Sequence, residues 1–380
     1  MCLEFRELHE DIGEMISLRT LEAKQTAIRE VPPSIVGLKN LTRLSLEGAM
    51  RGIQLLHSLR EFDLTYGALD DAIKDLGSLI YLQHLHLQGN KFHNLPNLSG
   101  LSKLETLWLN GSRYLCTIPD LPTNLKVLLA DKCPALETMP DFSEMSNMRE
   151  LDVSDSAKLT EVPGLDKSLN SMAWIDMHGC PNLTAAFRKN ILQGWTSCGF
   201  GGIALHGNYV PDWFEFVNEG TKVSFDIPPT DDHNFEGLTL FCLFRVCKIK
   251  HFPRLDITVI SNTQRTKLQA NKTRGGTMNE NYENDYLWLG QFSNNELNLQ
   301  GGDKVDIVFE NRIRNVHWDY SVKMMRTGVN LVWDKLMKEN MHDLHDARID
   351  FDWDLDEEGA SHDDEGGPSH DASDKLVCAE

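Results

Sequence analysis

The stretch Leu82-Gln83-His84-Leu85-His86-Leu87-Gln88-Gly89-Asn90 returns 22 residues later as Leu104-Glu105-Thr106-Leu107-Trp108-Leu109-Asn110-Gly111-Ser112. Both copies place apolar side chains at offsets 0, 3 and 5 and a small or polar one at offset 8. Working outward in both directions, the same spacing recurs. It gives Leu18/Leu21/Ala23, Leu41/Leu44/Leu46, Leu59/Phe62/Leu64, Leu125/Leu128/Ala130, Met148/Leu151/Val153 and Met172/Ile175/Met177. The eight copies start at intervals of 23, 18, 23, 22, 21, 23 and 24 residues. Self-similarity at such a period marks a repeat architecture, in which one unit cannot bury its own apolar face and stacking is obligatory.

The unit has the form L-x-x-L-x-L-x-x-N/C, a leucine-rich repeat. Side chains alternate faces along a strand, so the leucines point into a shared interior and the residues between them point out. Offset 8 carries Thr26, Ala49, Gly67, Asn90, Ser112, Cys133, Ser156 and Cys180. A side chain there bonds backbone in the turn. Ala49 and Gly67 have none to offer, so repeats two and three, separated by the short 18-residue interval, are expected to be the least regular. The expected fold of residues 1–184 is an α/β leucine-rich-repeat solenoid, or horseshoe.

The outward strand positions form the candidate binding face. Between the second and third apolar sites stand Glu22, Ser45, Asp63, His86, Trp108, Leu129, Asp152 and Asp176; Arg43, His84, Glu105, Lys126, Arg149 and Trp174 are neighbouring outward residues. Tryptophan and leucine among charges are unusual on a purely solvated face and suit protein contacts, where Trp and Arg often act as anchors. Candidate contact residues are therefore Arg43, His86, Trp108, Lys126, Arg149, Asp152 and Trp174. For Trp174, near the end of the array, the competing reading is packing against the next domain.

After Leu183 the period stops. A short amphipathic helix fits 185–194. Strand-like runs follow at 203–205, 222–227, 238–246, 255–260, 286–292 and 304–309, with two more at 317–324 and 328–333. Turns such as Pro228-Pro229, Gly275-Gly276 and Gly301-Gly302 separate them, a pattern that indicates an all-β sandwich over 185–336. The polar span 267–284 reads as a long loop, and long loops on sandwiches often carry binding; Arg274 and Tyr282 are the contact candidates on it.

The chain of 380 residues has a formal net charge of −20. Residues 337–380 hold 15 Asp/Glu against 3 Lys/Arg and are poor in branched aliphatics, so they are expected to form a disordered acidic tail. The remainder is only mildly acidic with both signs on its strands, so charge implies no basic partner. The balance argues against binding to nucleic acid or to an anionic membrane through bulk electrostatics. The start Met1-Cys2-Leu3-Glu4-Phe5-Arg6 lacks a basic segment followed by an apolar run, so no secretory signal is expected. Eight cysteines without a Cys-x-x-Cys pair suit a reducing compartment. No metal, cofactor or catalytic group is expected: Cys242 and Cys247 lack metal-site spacing, and Cys198 with His206 has no orienting third group.

Two regions resemble one family. Ser17-Leu18-Arg19-Thr20-Leu21-Glu22-Ala23, Thr26-Ala27-Ile28-Arg29-Glu30-Val31-Pro32-Pro33-Ser34-Ile35 and Leu38-Lys39-Asn40-Leu41 resemble the repeats of plant intracellular TIR-NB-LRR disease resistance receptors. The run Ile191-Leu192-Gln193-Gly194-Trp195-Thr196-Ser197-Cys198-Gly199-Phe200-Gly201-Gly202 leads into Gly207-Asn208-Tyr209-Val210-Pro211-Asp212-Trp213-Phe214. With Gly220-Thr221-Lys222-Val223-Ser224-Phe225 and Gly328-Val329-Asn330-Leu331-Val332-Trp333-Asp334-Lys335, it resembles the C-terminal jelly-roll/Ig-like domain that follows those repeats. No Gly-x-x-x-x-Gly-Lys-Ser/Thr phosphate loop is present, so neither a nucleotide switch nor TIR catalysis carries over. The resemblance implies a truncated sensor half that binds a pathogen effector protein or other receptor domains, in the cytoplasm or nucleus. Two other readings stay open at this point. One is an extracellular or stand-alone repeat adaptor, for which Asn97-Leu98-Ser99, Asn182-Leu183-Thr184 and Asn271-Lys272-Thr273 are sequons. The other is a carbohydrate-binding sandwich.

Overall fold

Each of the eight repeats contributes one short strand: β1 (Thr20–Ala23), β2 (Arg43–Leu46), β3 (Glu61–Asp63), β4 (His84–His86), β5 (Thr106–Trp108), β6 (Val127–Leu129), β7 (Glu150–Asp152) and β8 (Trp174–Met177). In a computed structural model of the chain, which describes residues 6–24, 26–28, 30–46, 53, 56–67, 76–195, 201–229, 235–247, 253, 255–271, 284–311 and 321–333, these strands are parallel neighbours in chain order. Leu44, Phe62, Leu85, Leu107, Leu128, Leu151 and Ile175 stand opposite one another across the ladder. All seven are fully buried. This is the solenoid core that the L-x-x-L-x-L spacing demands.

Offset 8 behaves as its chemistry requires. The Asn90 amide donates to the Leu64 and Leu87 carbonyls, each at 2.9 Å. The Ser112 hydroxyl donates to Leu87 O, the Cys133 thiol to Leu109 O, the Ser156 hydroxyl to Ala130 O and the Cys180 thiol to Val153 O, at 3.1–3.5 Å. The column bonds carbonyls of the preceding repeat and so ties neighbours together. In repeat three Gly67 offers only its backbone N–H, which reaches Leu64 O at 3.2 Å. β2 and β3 keep the common register nonetheless; the segments 47–52 and 68–75 that follow them lie outside the described residues.

The convex side corrects the α/β expectation. The described return segments carry 3₁₀ turns at Pro33–Gly37, Leu76–Ser78 and Leu169–Ser171, with one short helix, α1 (Leu165–Ser168). Proline stands in most returns, at Pro32, Pro96, Pro119, Pro140 and Pro163. It removes a donor and holds the preceding residue extended, which disfavours a longer helix. Those preceding residues, Val31, Leu95, Ile118, Met139 and Val162, are buried as a second apolar column.

The second half does not sit beside this sheet; it extends it. After α2 (Ala185–Trp195), strand β9 (Gly202–His206) adds to β8 in parallel, Ile175 opposite Ile203. β15 (Asn284–Ser293) then pairs antiparallel with β9, followed by β12 (Phe235–Cys247), β17 (Ser321–Trp333) and β10 (Phe216–Glu219), completing thirteen strands. A second sheet orders β11 (Lys222–Asp226), β16 (Lys304–Asn311), β13 (Leu255–Ser261) and β14 (Thr266–Asn271). The helix α3 (Asn294–Leu297) follows β15.

Alternation divides the shared strands between two cores. Ile203, Leu205, Leu287, Leu289, Phe241 and Leu243 join the repeat core, together with Ile191 and Trp195 of α2. Ala204, Trp288, Cys242 and Phe244 face the other way, into a core shared with Val223, Phe225, Ile257, Ile307 and Phe309 of the second sheet. The second sheet therefore covers the face that, over the repeats, carries the outward side chains.

Three sequence expectations are corrected. The span 267–284 is not one loop: its first residues belong to β14, and 272–283 lie outside the described residues. The runs 317–324 and 328–333 are not two strands: 321–333 is one strand, β17, and 317–320 lie outside the described residues. Gly328, the first residue of the second run, lies opposite Phe241 and makes room for its ring; a Cβ there would collide with it. β10 was not anticipated, being four residues at a sheet edge. The tail expected over 337–380 lies outside the described residues.

Candidate partner-binding face

The outward row runs Glu22, Ser45, Asp63, His86, Trp108, Leu129, Asp152, Asp176 and Ala204, each opposite the next. Its character changes along its length.

At the β1–β3 end, charges are paired. Arg43 Nε lies 3.2 Å from Glu61 Oε1 and 3.9 Å from Glu22 Oε1, and Lys24 Nζ lies 2.7 Å from Asp63 Oδ2. Burial raises the Asp63 carboxyl, but the bonds from Lys24 and Thr65 outweigh it and hold the group below its usual range. The exposed or half-exposed pairs of Arg43 contribute little stability each.

The centre is aromatic. His86 and Trp108 stack with ring centroids 4.2 Å apart and planes 14° from parallel. Both rings are half-buried. Burial lowers the His86 pKa to about 4, so the imidazole stacked on Trp108 is neutral at physiological pH. His84 Nδ1 is 2.9 Å from Thr106 Oγ1. Leu129 and Val127 are 5% and 7% exposed yet belong to neither core. They line the floor of the face beside Trp108.

At the β6–β8 end, carboxylates gather. Asp152 accepts from Ser154 N–H and Oγ–H at 2.9 and 2.7 Å. Asp176 Oδ1 lies 2.6 Å from His178 Nδ1, both residues buried. Asp131 accepts from the Asn110 amide. Asp155 stands over Gly179 in the next repeat. Burial is the first cause that raises the Asp131, Asp152 and Asp155 carboxyls, and neighbouring carboxylates add to it. Burial works against a charged His178, but Asp176, Asp152 and Asp155 outweigh it and raise its pKa to about 9. His178 meets the edge of Tyr286 of β15 at 6.2 Å, and His206 meets the same ring at 5.5 Å. Among the described residues, no cluster of His, Cys, Asp and Glu is arranged to hold a metal ion.

The sequence-derived candidates fall into place unevenly. His86, Trp108 and Asp152 share the central row. Arg43 stands one position earlier on β2, level with Trp174. Lys126 and Arg149 precede their strands by a further residue; Lys126 is bound to Glu105 at 2.9 Å, and the Arg149 carbonyl accepts from Ala173 and Trp174 N–H. Trp174 is corrected: it is 6% exposed and packs with Ala204 and Trp288 under the second sheet, so it is not a contact residue. Arg274 and Tyr282 lie outside the described residues. Asp131, Asp155 and His178 were missed. They sit at offsets 6 and 7, in the turn beyond the strand, where period-2 reasoning ends; stacking the repeats in register would have brought them together.

Sequence comparison agrees with the repeat reading of the first half. The family described as a leucine-rich repeat region matches residues 2–154. TMV resistance protein N of Nicotiana glutinosa is 27% identical over 254 residues, 56% of this chain and 21% of that protein. Disease resistance protein RPP4 of Arabidopsis thaliana is 30% identical over 194 residues, 48% of this chain and 16% of that one. Disease resistance-like protein DSC1 of Arabidopsis thaliana is 27% identical over 253 residues, covering 62% and 20%. A solved leucine-rich repeat protein of Leptospira interrogans is 20% identical with a TM-score of 0.43, over 52% of this chain and 51% of that one. The chain spans about a fifth of the length of these curated relatives. No helix among the described residues is long and apolar enough to cross a membrane. The chain carries a leucine-rich repeat region, and through it is similar to plant disease resistance proteins.

Proposed function

We propose that this chain is the recognition part of a plant disease resistance receptor that works in the cytoplasm or nucleus. It binds a pathogen effector protein, or another domain of the receptor, and has no catalysis of its own. The second half is read as the jelly-roll/Ig-like module of that receptor class. The observation that carries the reading is the Trp108–His86 stack, half-exposed at the middle of the outward row with paired charges on one side and carboxylates on the other. An aromatic anchor with a polar surround is the usual make-up of an interface hot spot.

The test is a co-purification screen of pathogen effectors against the full chain, repeated on any positive pair with Trp108→Ala. Truncating a hot-spot tryptophan costs about 2 kcal/mol or more, so roughly a thirtyfold weaker complex is expected. Unchanged binding by a folded Trp108→Ala protein removes the concave face from the reading.

A further inference from the structure

The charges on the outward row are not mixed, as composition implied; they are segregated. At the β6–β8 end Asp131, Asp152, Asp155 and Asp176 stand near two cations, His178 and Lys132. His178 is engaged by Asp176 at 2.6 Å. Asp155 is only 8% exposed, and its Oδ2 has no hydrogen-bond partner. A buried carboxylate oxygen left open among other carboxylates is costly, and an added cation relieves it.

The neighbouring surface fits the rest of such a cation. Trp108, Leu129, Asp152 and Asp176 are consecutive partners across the ladder. Strands lie about 4.8 Å apart, so Trp108 and Asp152 stand roughly 10 Å apart along the ladder, with Leu129 between them. That spacing suits a long side chain whose methylene stem lies on apolar surface while its charged head reaches a carboxylate. His86, neutral and stacked on Trp108, brings no competing charge.

We propose that the concave face receives an arginine or lysine side chain of a protein partner, its stem against Trp108 and Leu129 and its cation at the half-exposed Asp131 and Asp152, in the field of the buried Asp155 and Asp176. This rests on the recognition reading above and adds the partner's chemistry: a basic residue presented beside an apolar or aromatic one. Carboxylates held against one another at some cost to the fold are the form such a site takes before its ligand arrives.

Fluorescein-labelled Gly-Arg-Gly-Trp-Gly-Arg-Gly amide, titrated into the full chain by anisotropy, is the probe. The same peptide with citrulline for arginine keeps the shape and loses the charge. The arginine peptide is expected to bind at least tenfold tighter than the citrulline one. The double variant Asp131→Asn/Asp152→Asn is expected to abolish that preference. Asp306→Asn, on β16 where Lys222, Ser224 and Asn262 already hold the carboxylate, is expected to leave it intact. Equal binding of the two peptides, or a preference that survives Asp131→Asn/Asp152→Asn, overturns the proposal. So does displacement of the peptide by calcium at equimolar concentration, which would make the site a metal site.

Thermal melting separates a binding role from a structural one. Asparagine keeps the acceptor oxygen that bonds Ser154 and removes the repulsion. The variant is therefore expected to melt at or above the wild-type temperature, and a fall of several degrees also overturns the proposal. An effector lost by Trp108→Ala but retained by Asp131→Asn/Asp152→Asn would refute the cation site while leaving the recognition reading standing.

Discussion

Gly202 marks the point where the repeat sheet passes into the second half, and its replacement by valine tests whether the two halves are one structure. Gly202 lies opposite Trp174 on β8 and Gly290 on β15. A Cβ built on it runs into the Trp174 ring, 2.8 Å from Cε3, and comes within 3.5 Å of Trp288 Nε1. Trp174 is 6% exposed and Trp288 is fully buried, so neither ring can swing into solvent. Overpacking a closed core costs about 1–3 kcal/mol, and an isopropyl group pressed on two indoles belongs at the top of that range. Unfolding entropy is roughly 2 cal/mol/K per residue, or about 0.7 kcal/mol/K for the compact unit Met1–Asp334. The melting temperature should therefore fall by about 4 °C. Gly100→Val, at an exposed turn where a Cβ meets nothing within 4 Å, serves as the control and should barely move it. Calorimetry reads the number of transitions, and hydrogen exchange reads which strands open in each. If the sheet is mechanically continuous, amides of β6–β8 and of β13 and β16 lose protection together, and Gly202→Val shifts both. Two transitions, of which only that of the second half moves, would refute the reasoning.

Two further outcomes follow from the ladder and the buried histidine. His178 is raised from 6.5 to about 9 in the fold, so its stabilisation is complete below pH 6.5 and is lost as pH rises through 9. The change is on the order of 3 kcal/mol, and urea unfolding at pH 6.5 and 9 should show it in wild type but not in His178→Gln. Asn90→Ala should cost about 2–3 kcal/mol by stripping the Leu64 and Leu87 carbonyls of their buried donor, whereas Cys180→Ser, which keeps a donor for Val153, should be nearly neutral by the same unfolding assay.

The repeats were legible because their rule is local. Leu85, Leu107 and Leu128 are buried for the reason their spacing states, and Asn90, Ser112 and Cys133 bond backbone for the reason their chemistry states. What escaped were long-range consequences. Trp174 and Trp108 occupy outward positions, one and two residues into their strands' exposed faces. Only the second sheet, whose strands come from residues 222–311, makes one a core residue and leaves the other half-exposed. Gly328 likewise reads as the start of a separate run until Phe241, almost ninety positions away in sequence, is known to lie across from it. The aspartates show a third kind of limit. Asp152 and Asp176 were visible on the row, but Asp131, Asp155 and His178 lie in turns where no alternation applies. Their left-handed and turn conformations aim side chains by backbone geometry rather than by strand period; Lys132 and Asp155, for instance, both have φ near +55°.

The way the solenoid ends explains where its binding face ends. A stack of parallel strands leaves an open edge and an exposed core at its last repeat, and both must be covered. Here β9 takes the edge of β8, and Leu287, Leu289 and Phe241 from the added strands close the repeat core. Because side chains alternate, closing one face exposes the opposite face of β9, β15 and β12, and the four-stranded sheet is needed to bury Ala204, Trp288 and Cys242. That sheet reaches back over Trp174, so the outward face is closed at β8 and open over the earlier strands. Asp152 is half-buried at this boundary and Asp176 is 5% exposed just inside it. The same wall that ends the face also removes water from its last carboxylates. That burial raises the Asp152 carboxyl and makes the corner beside Trp108 the place where a partner's charge has most to gain.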